Sequence, residues 1–256
     1  MPPPDDPYAR LSYRRLIAWP ERIEREAPFL REVLGAAPVR RLLDLGCGTG
    51  EHARFLHAEG FEVVGVDLSD EMLAQARDGE PGPTFVKADL ADVEAAVEGT
   101  FGGAVCLGNA LPQITERGRL EAFFRGLAAH LAAGAPFLLQ LLDYARVFER
   151  NVRSLPLSFR TDDAGETVVF LRLMEPRPDG TVLFNPTTLR WRPGAEPPVE
   201  VTAARNVPLR GWRDPELSSL LASAGLPVEA RFGGMRREPY EAGASSDLVL
   251  LARRAG

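Results

Sequence analysis

From residue 40 the apolar positions fall into short runs of strand length, separated by stretches with a helical period. The runs are RRLLDL (40–45), FEVVGVDL (61–68), TFVKADL (84–90), FGGAVCLGN (101–109) and PFLLQLLD (136–143). Between them lie GEHARFLHAEG, closed by Gly60, and SDEMLAQARDG, closed by Gly79. A short, weak helix over 91–98 and the long amphipathic ERGRLEAFFRGLAAHLAAGA complete the series. Ser69 is a natural N-cap, with Asp70 and Glu71 in the first turn that follows. Strand–helix alternation of this kind predicts a parallel sheet with helices on both faces.

At residue 155 the texture changes. LPLSFRT, ETVVFLRLMEP, TVLFNPTTLRWRP and VEVTAARNVPL alternate in apolar character and carry turn residues such as Asp179-Gly180. They predict consecutive antiparallel strands. DPELSSLLASAG then reads as a helix with Asp214 at its cap and Pro215 at its first position. LPVEARFG and SDLVLLARR read as an antiparallel pair closing one edge of the sheet. At the other end, residues 8–34 have helical periodicity through Leu11, Ile17, Trp19, Ile23, Phe29 and Leu30. Pro20 and Pro28 are expected to divide that segment into short helices, and residues 1–7 to be a disordered lead-in.

The expected fold is α/β: a doubly wound, mostly parallel, seven-stranded Rossmann-like sheet with an antiparallel insertion after strand five. Its parts are a helical cap (1–35), the sheet domain (36–154 and 209–256) and an inserted β-layer (155–208).

Composition narrows the function classes. The chain has 256 residues and a formal net charge of -6, with Lys87 as its only lysine, so it lacks a basic footprint for nucleic acid. Cys47 and Cys106 sit in apolar, glycine-containing surroundings without CxxC spacing, which argues against a disulfide framework or a zinc site. The N-terminus lacks a basic stretch followed by an apolar run, and no signal peptide is expected. The most apolar segment, 127–142, is broken by Gly134 and Pro136 and reads as a helix end followed by a buried strand, not as a membrane span. A cytoplasmic protein with a small-molecule partner is the expectation.

The candidate chemistry centres on LLDLGCGTGE. A strand ends in Asp44; Gly46, Gly48 and Gly50 follow within five positions, with Cys47 among them; then a helix begins. Such a loop brings bare main chain close to a ligand at the end of a parallel sheet. The spacing GxGxG differs from the GxGxxG of dinucleotide sites, and Glu51 follows at once, poor company for a pyrophosphate. The phosphate-loop pattern GxxxxGK[ST] is absent. The second strand ends in Asp67-Leu68, where a carboxylate can accept from both ribose hydroxyls. The third ends in Asp89-Leu90, suited to an adenine amino group and ring. These features predict a pocket for an adenosine whose 5′ substituent is not phosphate.

This constellation resembles the class I S-adenosylmethionine (SAM)-dependent methyltransferases: LLDLGCGTG resembles their first motif, VVGVDLSDEML their second and VKADL their third. The resemblance covers roughly residues 40–142 and the C-terminal helix and strands. It implies S-adenosyl-L-methionine as cofactor, with Leu107 and Gly108 among the residues that touch it. VCLGNALPQI resembles the CLGNSFAHL stretch of the glycine/sarcosine N-methyltransferase-like branch, which implicates Gly108 and Asn109 in facing the substrate. The alternative for Asn109 is a turn residue closing the fourth strand. In that branch an arginine precedes an asparagine–tyrosine pair; here Leu142 precedes Asp143-Tyr144, and Gln113 replaces a histidine. The carboxylate clamp for glycine is therefore missing. Asp143 suits a cationic or amine-bearing acceptor, or else caps the next helix. The same resemblance points to Tyr13 and Arg22 on the N-terminal helices as cofactor contacts, with core packing of Tyr13 and Trp19 as the alternative. Arg22 has the fork geometry to hold the methionine carboxylate. His52 and His57 are expected to be surface or packing residues and His130 structural, so no catalytic dyad is visible. The expected function is methyl transfer to a small molecule, at nitrogen, by alignment rather than acid–base chemistry. An O-methyltransferase and a non-catalytic SAM-binding sensor are the alternatives. The exposed edges of the inserted layer suit a homodimer, with a lid over the pocket or a wall of the acceptor site as its alternative roles.

Overall fold

The structure, a computed structural model, describes residues 13–78, 82–162 and 165–256. Gly79, expected to close a helix, the lead-in 1–7 and Leu11 lie outside the described residues, as does the side chain of Tyr13.

The main sheet runs β11-β12-β5-β4-β1-β2-β3. Its members are β1 (Arg41–Leu45), β2 (Glu62–Asp67), β3 (Thr84–Lys87), β4 (Gly103–Cys106), β5 (Pro136–Leu142), β11 (Val228–Phe232) and β12 (Asp247–Arg253). The first five are parallel; β12 is antiparallel to both β5 and β11, as the sequence predicts. The order reverses between β1 and β4, so the carboxyl ends of those strands flank the switch point where doubly wound sheets bind ligands. Strand alternation sorts side chains to two faces. One buries Leu43, Leu45, Leu139 and Leu141 under α6 (Arg117–His130) and α8 (Asp214–Ser223). The other buries Leu42, Val105, Leu138 and Val249 under α2 (Trp19–Gly35) and α3 (Glu51–Ala58).

Three local expectations are corrected. Pro28 lies inside the unbroken α2, while Pro20 sits in its first turn. Burial of Phe29, Leu30, Val33 and Leu34 holds the helix together past the one hydrogen bond the proline removes. The helix predicted to be capped by Asp214 starts one residue earlier, with Arg213 as its N-cap; Asp214 instead accepts from Ser218 and Arg231. The segment after β5, a tyrosine-bearing loop on the family resemblance, is a short helix, α7 (Tyr144–Glu149). Ser69 does cap α4 (Asp70–Arg77), accepting the Met72 amide at 3.0 Å. Ahead of α2 stands α1 (Tyr13–Leu16), and α5 (Val93–Ala96) follows a 3-10 turn at Leu90–Asp92.

The insertion is a five-stranded antiparallel sheet: β6 (Ser158–Thr161), β7 (Thr167–Pro176), β8 (Thr181–Trp191), β9 (Val199–Ala204) and β10 (Val207–Arg210). Phe170 on β7 is buried with Leu16, so the insertion touches the N-terminal cap.

Candidate active site

The glycine loop folds as a bare turn at the crest of β1. Gly46 has φ +72°, its amide donates to Val66 O at 2.8 Å, and a Cβ there would run into Ala110. Gly48 has φ +54°, with open space where a side chain would stand. Its amide donates to Asp67 Oδ2 at 2.8 Å. Gly50 is the left-handed N-cap of α3. Cys47 contributes its amide to Val66 O at 3.1 Å, while its thiol turns inward; burial, then the Asp44 charge, raises its pKa well above the ordinary value.

Three carboxylates ring this loop, at the ends of β1, β2 and after β3. Asp44 is only 2% exposed, and its Oδ2 has no partner among the described residues. Burial pushes its pKa up to about 6, against the pull of nearby His52. Asp67 accepts the Gly48 amide on one oxygen and the Ser69 amide on the other, at 2.9 Å. Asp89 accepts the Ala91 amide at 2.9 Å and pairs with Arg119 at 2.7 Å. These bonds orient Asp67 and Asp89, and a carboxylate offers about four lone-pair sites in all. Leu68 is 60% exposed and Leu90 half-buried beside them.

The cap helices close over the loop through polar groups, of which Arg14 and Glu26 carry no signal in the three motifs. Arg14 on α1 donates to Glu51 Oε1 at 2.5 Å, Thr49 O at 3.0 Å and Gln75 O at 3.1 Å. Arg22 donates from Nε to Glu26 Oε1 at 2.9 Å, and His52 Nε2 meets Glu26 Oε2 at 2.7 Å. His52, expected at the surface or in packing, is a buried hydrogen-bonding partner. Burial raises the Glu26 pKa, but His52 and Arg22 outweigh that and hold it down at about 2. One signal for Glu26 was present: 26, 29, 30 and 33 form a single helical stripe, otherwise apolar. His57 and His130 bond main-chain carbonyls, Phe61 O for the first and Gly99 O and Glu94 O for the second.

On the acceptor side, Leu107 is buried, and the Gly108 amide donates to Gln140 Oε1 at 2.7 Å. Gln140 also donates to Asp247 Oδ2 at 2.9 Å. Asn109 has φ +67°, accepts the Leu142 amide at 3.0 Å and donates to Tyr144 Oη at 3.2 Å. It thus closes the fourth strand and stands half-buried at the crest. Asp143 and Tyr144, expected as acceptor contacts, are 2% and 1% exposed, and the structure places them behind Asn109. Asp143 caps α7 through the Ala145 amide at 3.1 Å and also accepts from the Gly243 amide at 2.8 Å and Tyr240 Oη at 3.3 Å. Burial pushes the Tyr144 phenol pKa up. Among the described residues no three His, Cys, Asp or Glu gather as a metal site, and no helix is long and apolar enough to cross a membrane.

The site suits a zwitterionic adenosine derivative better than a dinucleotide. The orphaned oxygen of Asp44 calls for a donor, and Asp44 and Glu51 would repel a pyrophosphate. Strand order and strand directions are those of the Rossmann-like methyltransferase fold. Residues 42–134 match the family model described as a methyltransferase domain. It is 34% identical over 140 residues to a glycine/sarcosine N-methyltransferase of Parasynechococcus marenigrum (strain WH8102), across 53% of this chain. The chain spans about half that relative's length, 49%. Among solved structures, a SAM-dependent methyltransferase from Clostridium acetobutylicum ATCC 824 superposes with TM-score 0.75 at 18% identity, covering 97% of this chain and 96% of that one. A SAM-bound amino pentose methyltransferase from Micromonospora echinaspora gives 0.71 at 24%, covering 95% of each.

Proposed function

We propose that the protein transfers a methyl group from S-adenosyl-L-methionine to nitrogen of a small-molecule amine. The observation that carries this reading is three acids at the carboxyl ends of three adjacent parallel strands, Asp44 in β1, Asp67 in β2 and Asp89 after β3, with Asp67 bonded to the Gly48 amide where a side chain's place is open. Asp67 takes the ribose hydroxyls, Asp89 the adenine amino group, and Leu68 and Leu90 flank the ring. Asp44 faces the ammonium and Arg22 the carboxylate of the amino-acid tail. The cofactor supplies a methyl on a positively charged sulfur; the acceptor's lone pair forms the new bond and the S–CH3 electrons return to sulfur. The chain's task is alignment and exclusion of water. Asn109, steadied by Tyr144 and the Leu142 amide, orients the acceptor's N–H groups.

Nitrogen is favoured because a neutral amine needs no general base, whereas a hydroxyl does. The carboxylate of Asp143 is engaged by three donors, and the raised pKa of Tyr144 keeps its phenol protonated. The names of the similar N-methyltransferase and amino pentose enzyme agree. Leu142, in place of an arginine, argues for an acceptor other than glycine. Tritiated SAM offered with panels of amines and hydroxyl compounds tests this: labelled amines support it, and labelled phenols or alcohols alone overturn the nitrogen assignment. Binding without any transfer would make the protein a sensor.

Two free, buried cysteines suit a reducing compartment such as the cytoplasm. The inserted sheet is assigned to pairing with a second copy. Register places Phe159, Leu173, Trp191, Val199 and Val201 on one face, each 40–61% exposed. That is roughly 500 Å² of apolar surface, close to the apolar share of a standard-sized interface of about 800 Å² per partner. Sedimentation should show a dimer that Trp191→Glu with Val201→Glu dissociates; a monomeric parent protein would overturn the pairing.

A further inference from the structure

We propose that Glu26 and His52 are a buried positioning pair whose task is to aim Arg22 at the carboxylate of the cofactor's amino-acid tail. This rests on the adenosine-site reading above and adds two residues to it.

Glu26 is 3% exposed on the apolar stripe of α2. A charge buried there is costly unless fully paired. Its oxygens are divided between two elements: Oε1 takes Arg22 Nε at 2.9 Å, with Arg25 at 3.7 Å, and Oε2 takes His52 Nε2 at 2.7 Å. His52 is the second residue of α3, the helix that begins at the glycine loop. One carboxylate therefore ties the cap to the loop. Its low pKa keeps it ionised at neutral pH.

Arg22 is held on two sides. Glu26 takes its Nε, and the Trp19 ring lies 5.0 Å from its guanidinium carbon. Trp19 in turn meets the His52 ring edge-on, with centroids 5.4 Å apart. The terminal nitrogens of Arg22 make no hydrogen bond to a described residue. They face Gly108 at the end of β4, where a Cβ would lie 3.6 Å from Nη2. A guanidinium anchored through Nε, with both Nη groups free, presents a two-pronged receptor for a planar carboxylate. A pair that only glued α2 to α3 would need no such orientation.

The test compares two ligands on the full-length chain by calorimetry. S-adenosylhomocysteine carries the amino-acid tail; 5′-methylthioadenosine has the same nucleoside without it. Glu26→Gln should weaken the first about tenfold and leave the second unchanged. His52→Phe and Arg22→Lys should show the same selectivity, so the test survives a misfolded Glu26 variant. Equal weakening of both ligands, or of neither, overturns the positioning role. Failure of the parent protein to bind either ligand overturns the adenosine site itself, and this inference with it.

Discussion

The two halves of the sheet's crest are built on different principles. On the nucleotide side, β1 to β3, Asp67 and Asp89 accept from nearby main chain, Ser69 and Gly48 for the first and Ala91 for the second, and Asp89 also pairs with Arg119. On the acceptor side, β4 and β5, the polar groups are fixed from far along the chain. Gln140 reaches Asp247, Asp143 reaches Gly243, and Asn109 reaches Tyr144. On the proposed reading, the locally determined half holds the cofactor. A half determined at long range is free to vary with the acceptor.

That contrast can be broken from the nucleotide side first. Gly46→Val sets a β-branched residue at φ +72° against Ala110 and should reduce both S-adenosylhomocysteine affinity and methyl transfer by about 100-fold or more. Circular dichroism checks that the variant folds, and near-normal binding would remove the loop from the site.

A smaller effect sharpens the role of Asp44. If its ionised form faces the ligand's ammonium, affinity should fall about tenfold between pH 7 and pH 5, below its pKa of about 6, and Asp44→Asn should flatten the profile. The signs of the stability changes are opposite for the two buried acids. Asp44, raised from 3.8, keeps its proton in the folded state, so the ligand-free chain gains stability from it as pH falls from 6 towards 3.8. Glu26, lowered from 4.5 to about 2, stabilises above 4.5 and loses that contribution as pH falls through the interval to 2. Thermal melts of the parent and Glu26→Gln across this range separate them.

The smallest expected effect is on the acceptor side. Tyr144→Phe removes one support of Asn109 and should lower kcat about threefold, with cofactor affinity unchanged. A loss of 100-fold or more would mean that the phenol touches the acceptor and that its place behind Asn109 misleads.

The same contrast explains what the sequence revealed. The glycine loop, Asp67 and Asp89 were legible because strand ends and tight turns are local constraints. The antiparallel β12 and the inserted sheet were legible from a change of apolar period. Asp143 was read as an acceptor contact or a cap on the next helix; it does cap α7, and nothing local shows that Gly243, 100 residues on, fills its other oxygen. His52 and Glu26 were missed singly because they explain each other only as a pair across 26 residues. The unbroken α2 shows packing overriding a proline that local propensity treats as a stop.

The central claim is that the carboxylate ending β2 grips the ribose of an adenosine lodged over the glycine loop. The most direct measurement is S-adenosylhomocysteine titrated calorimetrically into the parent protein and Asp67→Ala. The account predicts tight one-to-one binding that the substitution weakens by about 10- to 100-fold. Equal affinity in the two proteins, or no binding to the parent, would contradict it.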